Sequence, residues 1–311
     1  MDEMTEVASG LEFPEGPIAM ADGSVVLCEI RRGTLSWVTA AGNIAVAANL
    51  GGGPNGAAAG PDGAVYVCND GGYEYEELLG LTAPGPNLPA DHSGGRIERV
   101  DLRTGEHAVL YTECDGHDLV SPNDLVFDRD GGMWFTDHSR STERARAHGG
   151  LYYATPDGSL IREVAYPLDA PNGVGLAPDG SRVYVAETFT GRVWWWDIAG
   201  PGAVHPPAMP LLPHGGTFLA GLAGLQFFDS LAVEESGNVV VATIGLEPGL
   251  TVISPDGDIV EKVPTPDPFT TNICFGGDDR TTAYITLSGT GRLVSMPWAR
   301  PGLAPAFAPL V

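Results

Sequence analysis

Residues 171–188 read PNGVGLAPDGSRVYVAET: a Pro-Asn-Gly opening, a short apolar run, a Pro-Asp-Gly turn and a second apolar run. Two apolar runs joined by a glycine turn are the pattern of a β-hairpin. The same pattern stands at 54–70 as PNGAAAGPDGAVYVCND and at 122–138 as PNDLVFDRDGGMWFTDH. With these three as a ruler, looser copies emerge: PEGPIAMADGSVVLCEI at 14–30, FDSLAVEESGNVVVATI at 228–244 and, without its turn glycine, TNICFGGDDRTTAYITL at 271–287. A third strand-like run follows each copy and opens on glycine, at Gly33, Gly95, Gly150, Gly191, Gly249 and Gly291. Most copies offer a fourth, such as HAVLYTE at 107–113 and IREVAY at 161–166. Repeated four-stranded antiparallel units predict an all-β, six-bladed β-propeller, one domain spanning 1–311, with a central channel. The sixth unit lacks an obvious fourth strand. Residues 5–11 are expected to supply it, with the tail 300–311 as the alternative.

In the first five copies a polar residue lies eight positions before the turn glycine: Glu15, Asn55, Asn123, Asn172 and Asp229; Asn272 holds the matching place in the sixth. The first strand of each propeller blade lines the channel, so these residues are expected at one height around it. A lone Pro-Asn pair is an ordinary turn signal. Six side-chain oxygens in phase, two of them on carboxylates, instead form a ring able to neutralise and coordinate a divalent cation. Oxygen donors favour Ca²⁺ first, with Mg²⁺, Mn²⁺ or Zn²⁺ also open.

Composition narrows the function classes. The chain has 43% hydrophobic and 18% charged residues, enough apolar material for a large core. Its 16 basic and 40 acidic residues give a net charge of −24, which excludes nucleic acid and anionic membranes as natural partners. The acidic N-terminal stretch MDEMTEVASG has no apolar core and does not read as a signal peptide, and no apolar run is long enough to span a bilayer. Cys28, Cys68, Cys114 and Cys274 form no CxxC pair, so reduced thiols in a cytoplasmic protein, monomeric or dimeric, are expected. Glycine clusters such as Gly51-Gly52-Gly53 lack a nucleotide-binding pattern. Trp194, Trp195 and Trp196 fall in a third strand and are expected to pack between blades.

The segments FPEGP, SPNDLVFD, FTD, APNGVGLAPDG, VAET and NICFGG, from about Leu11 to Arg292, resemble the senescence marker protein / gluconolactonase / luciferin-regenerating enzyme family. The resemblance implies a six-bladed propeller with one catalytic divalent metal in its channel. It also implies hydrolysis of a lactone, or of a phosphotriester as in the related diisopropyl fluorophosphatase. Carried over by motif, it places metal ligands at Glu15, Asn123, Asn172 and Asp229, and the catalytic carboxylate at Asp229. The sequence departs from the family in two places. Phe228-Asp229-Ser230 stands for the usual Pro-Asp-Gly, and Ser121 replaces the arginine of the sugar lactonases, so the substrate need not be a sugar lactone.

The expected chemistry is metal-assisted attack of water on a cyclic ester, with the lactone as small-molecule partner. Substrate contacts are expected from Asn55 and Asn272 of the ring and from loops on the same face. Loop 70–94 could form a lid carrying Tyr73, Tyr75 and His92; loop 137–149 offers His138, Arg140 and Glu143; linkers entering blades add His117, Asp118, Phe218 and Phe227. The opposing reading is a non-catalytic propeller that binds a ligand or partner on one face.

Overall fold

The computed structural model describes residues 4–142, 144–206 and 211–310; Glu143 lies outside them. Six antiparallel sheets form the blades of the propeller. Their first strands are Pro14–Ala19, Pro54–Ala59, Pro122–Phe127, Pro171–Leu176, Gln226–Val233 and Thr270–Gly276. Neighbouring first strands pack against one another around the ring, and the sixth returns to the first. The second strands, which return toward the opening of the first, are Val25–Glu29, Val65–Asn69, Met133–Asp137, Arg182–Glu187, Val239–Gly245 and Thr282–Leu287.

Alternation along each strand places apolar residues on both faces, and each face meets the neighbouring blade. Six buried clusters result, one at each junction between blades. Tyr66, Phe127 and Phe135 join blades two and three, while Trp134, Trp194 and Trp196 join three and four. The tryptophans of the third strand are thus structural, and Trp195 lies under the Arg182 guanidinium. Each fully buried Val, Leu or Phe contributes roughly 1.5–3 kcal/mol, so stability is distributed over junctions between blades.

Thr5–Ser9 pairs antiparallel with Arg292–Pro297 and is the outermost strand of blade six, as expected. The tail is not a strand of that blade. It crosses the far end of the channel: Glu235 N–H bonds Pro301 O at 2.9 Å, Leu303 N–H bonds Val233 O at 2.8 Å, and Leu310 N–H reaches Gly63 O at 2.9 Å. Phe307 meets Phe127 edge-on. Between this strap and the channel centre lies a cavity of about 430 Å³, lined mainly by apolar side chains and bordered by Asp124 and Asn272.

A local irregularity aims the ring residues. Every first strand slips register against its second strand at or beside the polar ring position, for example between Pro122↔Asp137 and Leu125↔Phe135, and between Pro171↔Glu187 and Val174↔Val185. Such a bulge kinks the strand and re-aims one side chain. The kinked strands converge closely. A Cβ on Gly56 would lie 2.5 Å from Asn123 O, and one on Gly173 would lie 2.5 Å from Leu231 N, which explains the small residue after most ring positions.

Candidate active site

The linkers leading into the first strands are fixed by polar residues that end the second strands. Glu29 accepts the N–H of Glu12 at 2.7 Å, Asn69 that of Gly53 at 2.9 Å, and Glu187 that of Asp169 at 2.7 Å. Asp137 accepts three N–H groups, from Val120, Ser121 and Ser139, at 2.7–2.9 Å. These four residues are buried, and a buried polar group is tolerated only when it is bonded in this way. Their bonds set the height at which Glu15, Asn55, Asn123 and Asn172 enter the channel.

All six ring residues are buried, each with 9% or less of its surface exposed. Asn272 Nδ2 donates to Glu15 Oε2 at 2.6 Å, and the Gly16 N–H donates to the same oxygen at 2.7 Å. Asn172 Nδ2 donates to Thr188 Oγ1 at 3.1 Å, and Ser230 Oγ lies 3.3 Å from Asn172 Oδ1. Asn123 Oδ1 is buried without any hydrogen-bond partner. Burial, and then the charge of Glu15, push the Asp229 carboxyl well above the usual range, and burial raises Glu15 as well. Burial and the same Glu15 charge push Asp124, beside Asn123, up to about 8. The centre therefore concentrates three carboxyl groups that burial makes resist ionisation, two of them further opposed by the charge of Glu15.

No cluster of three His, Cys, Asp or Glu with metal-binding geometry occurs among the described residues. The oxygen donors present nevertheless fit a cation. They combine two buried carboxyl groups with asparagine amides, and one amide oxygen lacks any donor.

Buried unpartnered atoms recur around the mouth above the ring: Asp70 Oδ2, Tyr75 Oη, His92 Nδ1, Arg140 Nε and Gln226 Oε1. Arg140 Nη2 donates to the carbonyls of Asp70 and Gly72 at 2.7 and 2.9 Å, and its guanidinium stacks 3.9 Å over Tyr73. Tyr73 Oη and Ser121 Oγ are 3.2 Å apart, so Ser121 ties loop 70–94 to blade three. Burial pushes the Tyr73 phenol up to about 12 and Asp70 up to about 6. His138, whose N–H bonds Ser121 O at 2.9 Å, is held below the usual imidazole range by burial.

Loop 70–94 contains a two-stranded hairpin, Tyr75–Leu78 with Leu81–Pro84. It leans toward blades one and six: Glu77 pairs with Arg31 at 2.7 Å, the Thr82 N–H bonds Gly289 O at 2.8 Å, and Tyr75 packs on Phe13, which packs on Phe269. Two sequence expectations need correction or demotion. Phe218 lies within the outermost strand of blade four, Thr217–Gly221, where it packs on Trp194 rather than entering a blade. His117 and Asp118 form an exposed two-residue bridge with Glu113–Cys114. Conversely, Asp70, Asp124 and Thr188 belong to the site and were not singled out from the sequence. Asp70, His138 and Thr188 are the closing residues of three repeat copies, and Asp124 stands where other copies have glycine; both signals were available.

Comparison with known proteins matches the family model for the SMP-30/Gluconolactonase/LRE-like region to residues 13–289. A gluconolactonase of Zymomonas mobilis is 26% identical over 309 residues, covering 91% of this chain and 78% of that protein. A lactonase Drp35 of Staphylococcus haemolyticus is 27% identical over 59% of this chain, which spans 48% of that protein's length. In fold, the chain is similar to a calcium-binding protein, regucalcin, of Agrobacterium tumefaciens, with a TM-score of 0.75 at 17% identity over 99% of this chain and 97% of that one.

Proposed function

Because this chain belongs to the SMP-30/gluconolactonase/LRE-like family, we propose that it is a lactonase that opens a cyclic ester by attack of water, with one divalent cation held by Glu15, Asn123, Asn172 and Asp229. The observation that carries this reading is the orphaned Asn123 Oδ1 in a ring that also holds the buried carboxyl groups of Glu15 and Asp229. An unmet buried acceptor costs about 1–3 kcal/mol; a cation at the centre satisfies it and relieves both carboxylates. All donors are oxygens, which suits Ca²⁺ foremost and Mg²⁺, Mn²⁺ or Zn²⁺ after it, and the regucalcin homologue is described as calcium-binding.

A bound cation supplies polarisation of the ester carbonyl and stabilises charge on its oxygen. The chain's own residues do the remaining work. Asn272 and the Gly16 N–H hold the Glu15 carboxylate in place, and Thr188 fixes the amide orientation of Asn172. Asp229 accepts a proton from the attacking water. Asn55, Asn272, Tyr73, His138 and Arg140 surround the substrate.

Metal content by plasma mass spectrometry and hydrolysis of δ-valerolactone, on wild type, Glu15→Gln and Asp229→Asn, test the reading together. About one ion per chain is expected, lost in Glu15→Gln. Asp229→Asn retains the ion and loses about 10²–10⁴-fold in turnover. A wild-type chain that binds no divalent ion after dialysis refutes the metal mechanism. Equal losses of ion and turnover in both variants refute the separate role of Asp229.

A further inference from the structure

The mouth of the channel is not uniform. Between blades two and three it is polar, with Asp70, Tyr73, Arg140 and Ser121. From blade three to blade five it is a row of rings, one per blade. His138 follows directly on Asp137. Phe189 follows Thr188, the partner of Asn172. Phe227 precedes Asp229 by two residues. The His138 and Phe189 rings are 5.8 Å apart and edge-on, and Phe189 and Phe227 are 6.2 Å apart at 87°. The row thus skirts Asn123, Asn172 and Asp229.

Two features mark this row as a binding surface rather than core. Phe189 is 44% exposed although it stands beside buried polar residues. The row also continues outward. Gln226 pairs with Gly245 at the end of blade five, and the residues flanking that pair, Leu225 and Leu246, are 60% and 78% exposed. Large apolar side chains left in contiguous solvent contact mark ligand or partner sites. Two polar groups along the row are already engaged: Arg146 stacks 4.0 Å over Phe189 and pairs with Asp169 at 2.6 Å, and His138 Nδ1 faces Ser139 O at 3.2 Å, which leaves Gln226 Oε1 as the buried unpartnered atom beside Phe227. The unpartnered polar atoms of the mouth other than Gln226 Oε1, namely Asp70 Oδ2, Tyr75 Oη, His92 Nδ1 and Arg140 Nε, lie outside the row.

We propose that the row Phe189–Phe227–Leu225/Leu246 is a track for a hydrocarbon substituent of the substrate, so that the preferred lactones carry an alkyl chain rather than a ring of hydroxyls. This rests on the lactonase reading. The test measures kcat/KM for δ-valerolactone, δ-octanolactone, δ-decanolactone, δ-dodecanolactone and glucono-δ-lactone on the metal-loaded protein. In parallel, calorimetry measures binding of the δ-lactams of the same chain lengths, which are not hydrolysed. Full burial of a methylene is worth about fourfold, and a half-exposed track about twofold per carbon. Both series are expected to rise by about that factor per carbon, with glucono-δ-lactone below the alkyl lactones. Phe189→Ser is expected to flatten both slopes, whereas Val109→Ser, on the outer strand of blade two, retains them. Lactam affinity independent of chain length, or a preference for glucono-δ-lactone, overturns the track and leaves the lactonase reading standing. Chain-length-dependent lactam binding without hydrolysis of any lactone supports the track and refutes the lactonase reading.

Discussion

Gly173→Ala isolates the requirement that inner strands converge. Gly173 follows the ring residue Asn172, and a Cβ there would stand 2.5 Å from Leu231 N and 2.7 Å from Ser230 C, both backbone atoms of blade five. Ordinary contact begins near 3.4 Å, so the first strands of blades four and five must separate by about 0.9 Å. No side chain can rotate away to provide that space. The backbone of Gly173 is not in the left-handed region, so the cost is steric alone. Overpacking of this kind costs about 1–3 kcal/mol, which for a chain of this size lowers Tm by roughly 2–6 °C. The displaced strand carries Asn172 away from Asp229, so affinity for the cation should fall by more than tenfold. Gly200→Ala is the control, because a Cβ there meets nothing within 4 Å. Calorimetric melting of metal-free protein and Ca²⁺ titration give both quantities. A Gly173→Ala protein that melts with wild type and binds Ca²⁺ equally would refute the argument that close strand approach positions the ring.

The pH dependence of the metal-free protein has a definite sign. Burial raises Asp70 to about 6 and Asp124 to about 8, so the folded chain holds protons that the unfolded chain releases. Their contribution is full below pH 4 and is lost as pH rises through 6 and 8; Tm should fall between pH 5 and 8.5, less steeply in Asp124→Asn, and a rising Tm would contradict this. Glu234, fully buried, accepts Trp298 Nε1 and Arg300 Nε, each at 2.8 Å. Glu234→Ala strands the buried Trp298 Nε1 donor, while Arg300 keeps Glu261, and should cost about 1–3 kcal/mol in urea unfolding, no measurable loss being incompatible with the contact. Phe307→Ala removes the ring that rests on Phe127 and should cost about 2 kcal/mol without lowering metal content, both readable from one melting and one metal analysis.

The repeats made the architecture legible because a hairpin with a glycine turn is a local signal, and its periodic return leaves few arrangements. The ring residues were legible for the same reason: equal phase in each copy means equal height in the channel. The strand bulges that aim Glu15 and Asn123 were not legible, since a one-residue slip depends on pairing rather than on residue type. Asp70 and Thr188 were overlooked because their importance arises from contact with another segment, Arg140 in one case and Asn172 in the other. The strap was misplaced as a possible outer strand. Its anchoring to Val233 and Gly63 joins blades far apart in sequence, and no local pattern in APAFAPL announces that path.

The pairing of Thr5–Ser9 with Arg292–Pro297 also sets a timetable for synthesis. Blades emerge from the ribosome one after another and can stack as they come, each on its predecessor. Blade one is the exception: Val25, Leu27 and Val38 face Leu11 and Leu293 across the closing junction, and Leu293 belongs to the sixth blade, made after the other five. Until the sixth blade is made that flank stays open, with the strand Thr5–Ser9 unpaired. The closing contact joins segments near opposite ends of the propeller sequence, and such contacts form slowly. Ring closure therefore waits for the sixth blade, and until then blade one keeps an open flank.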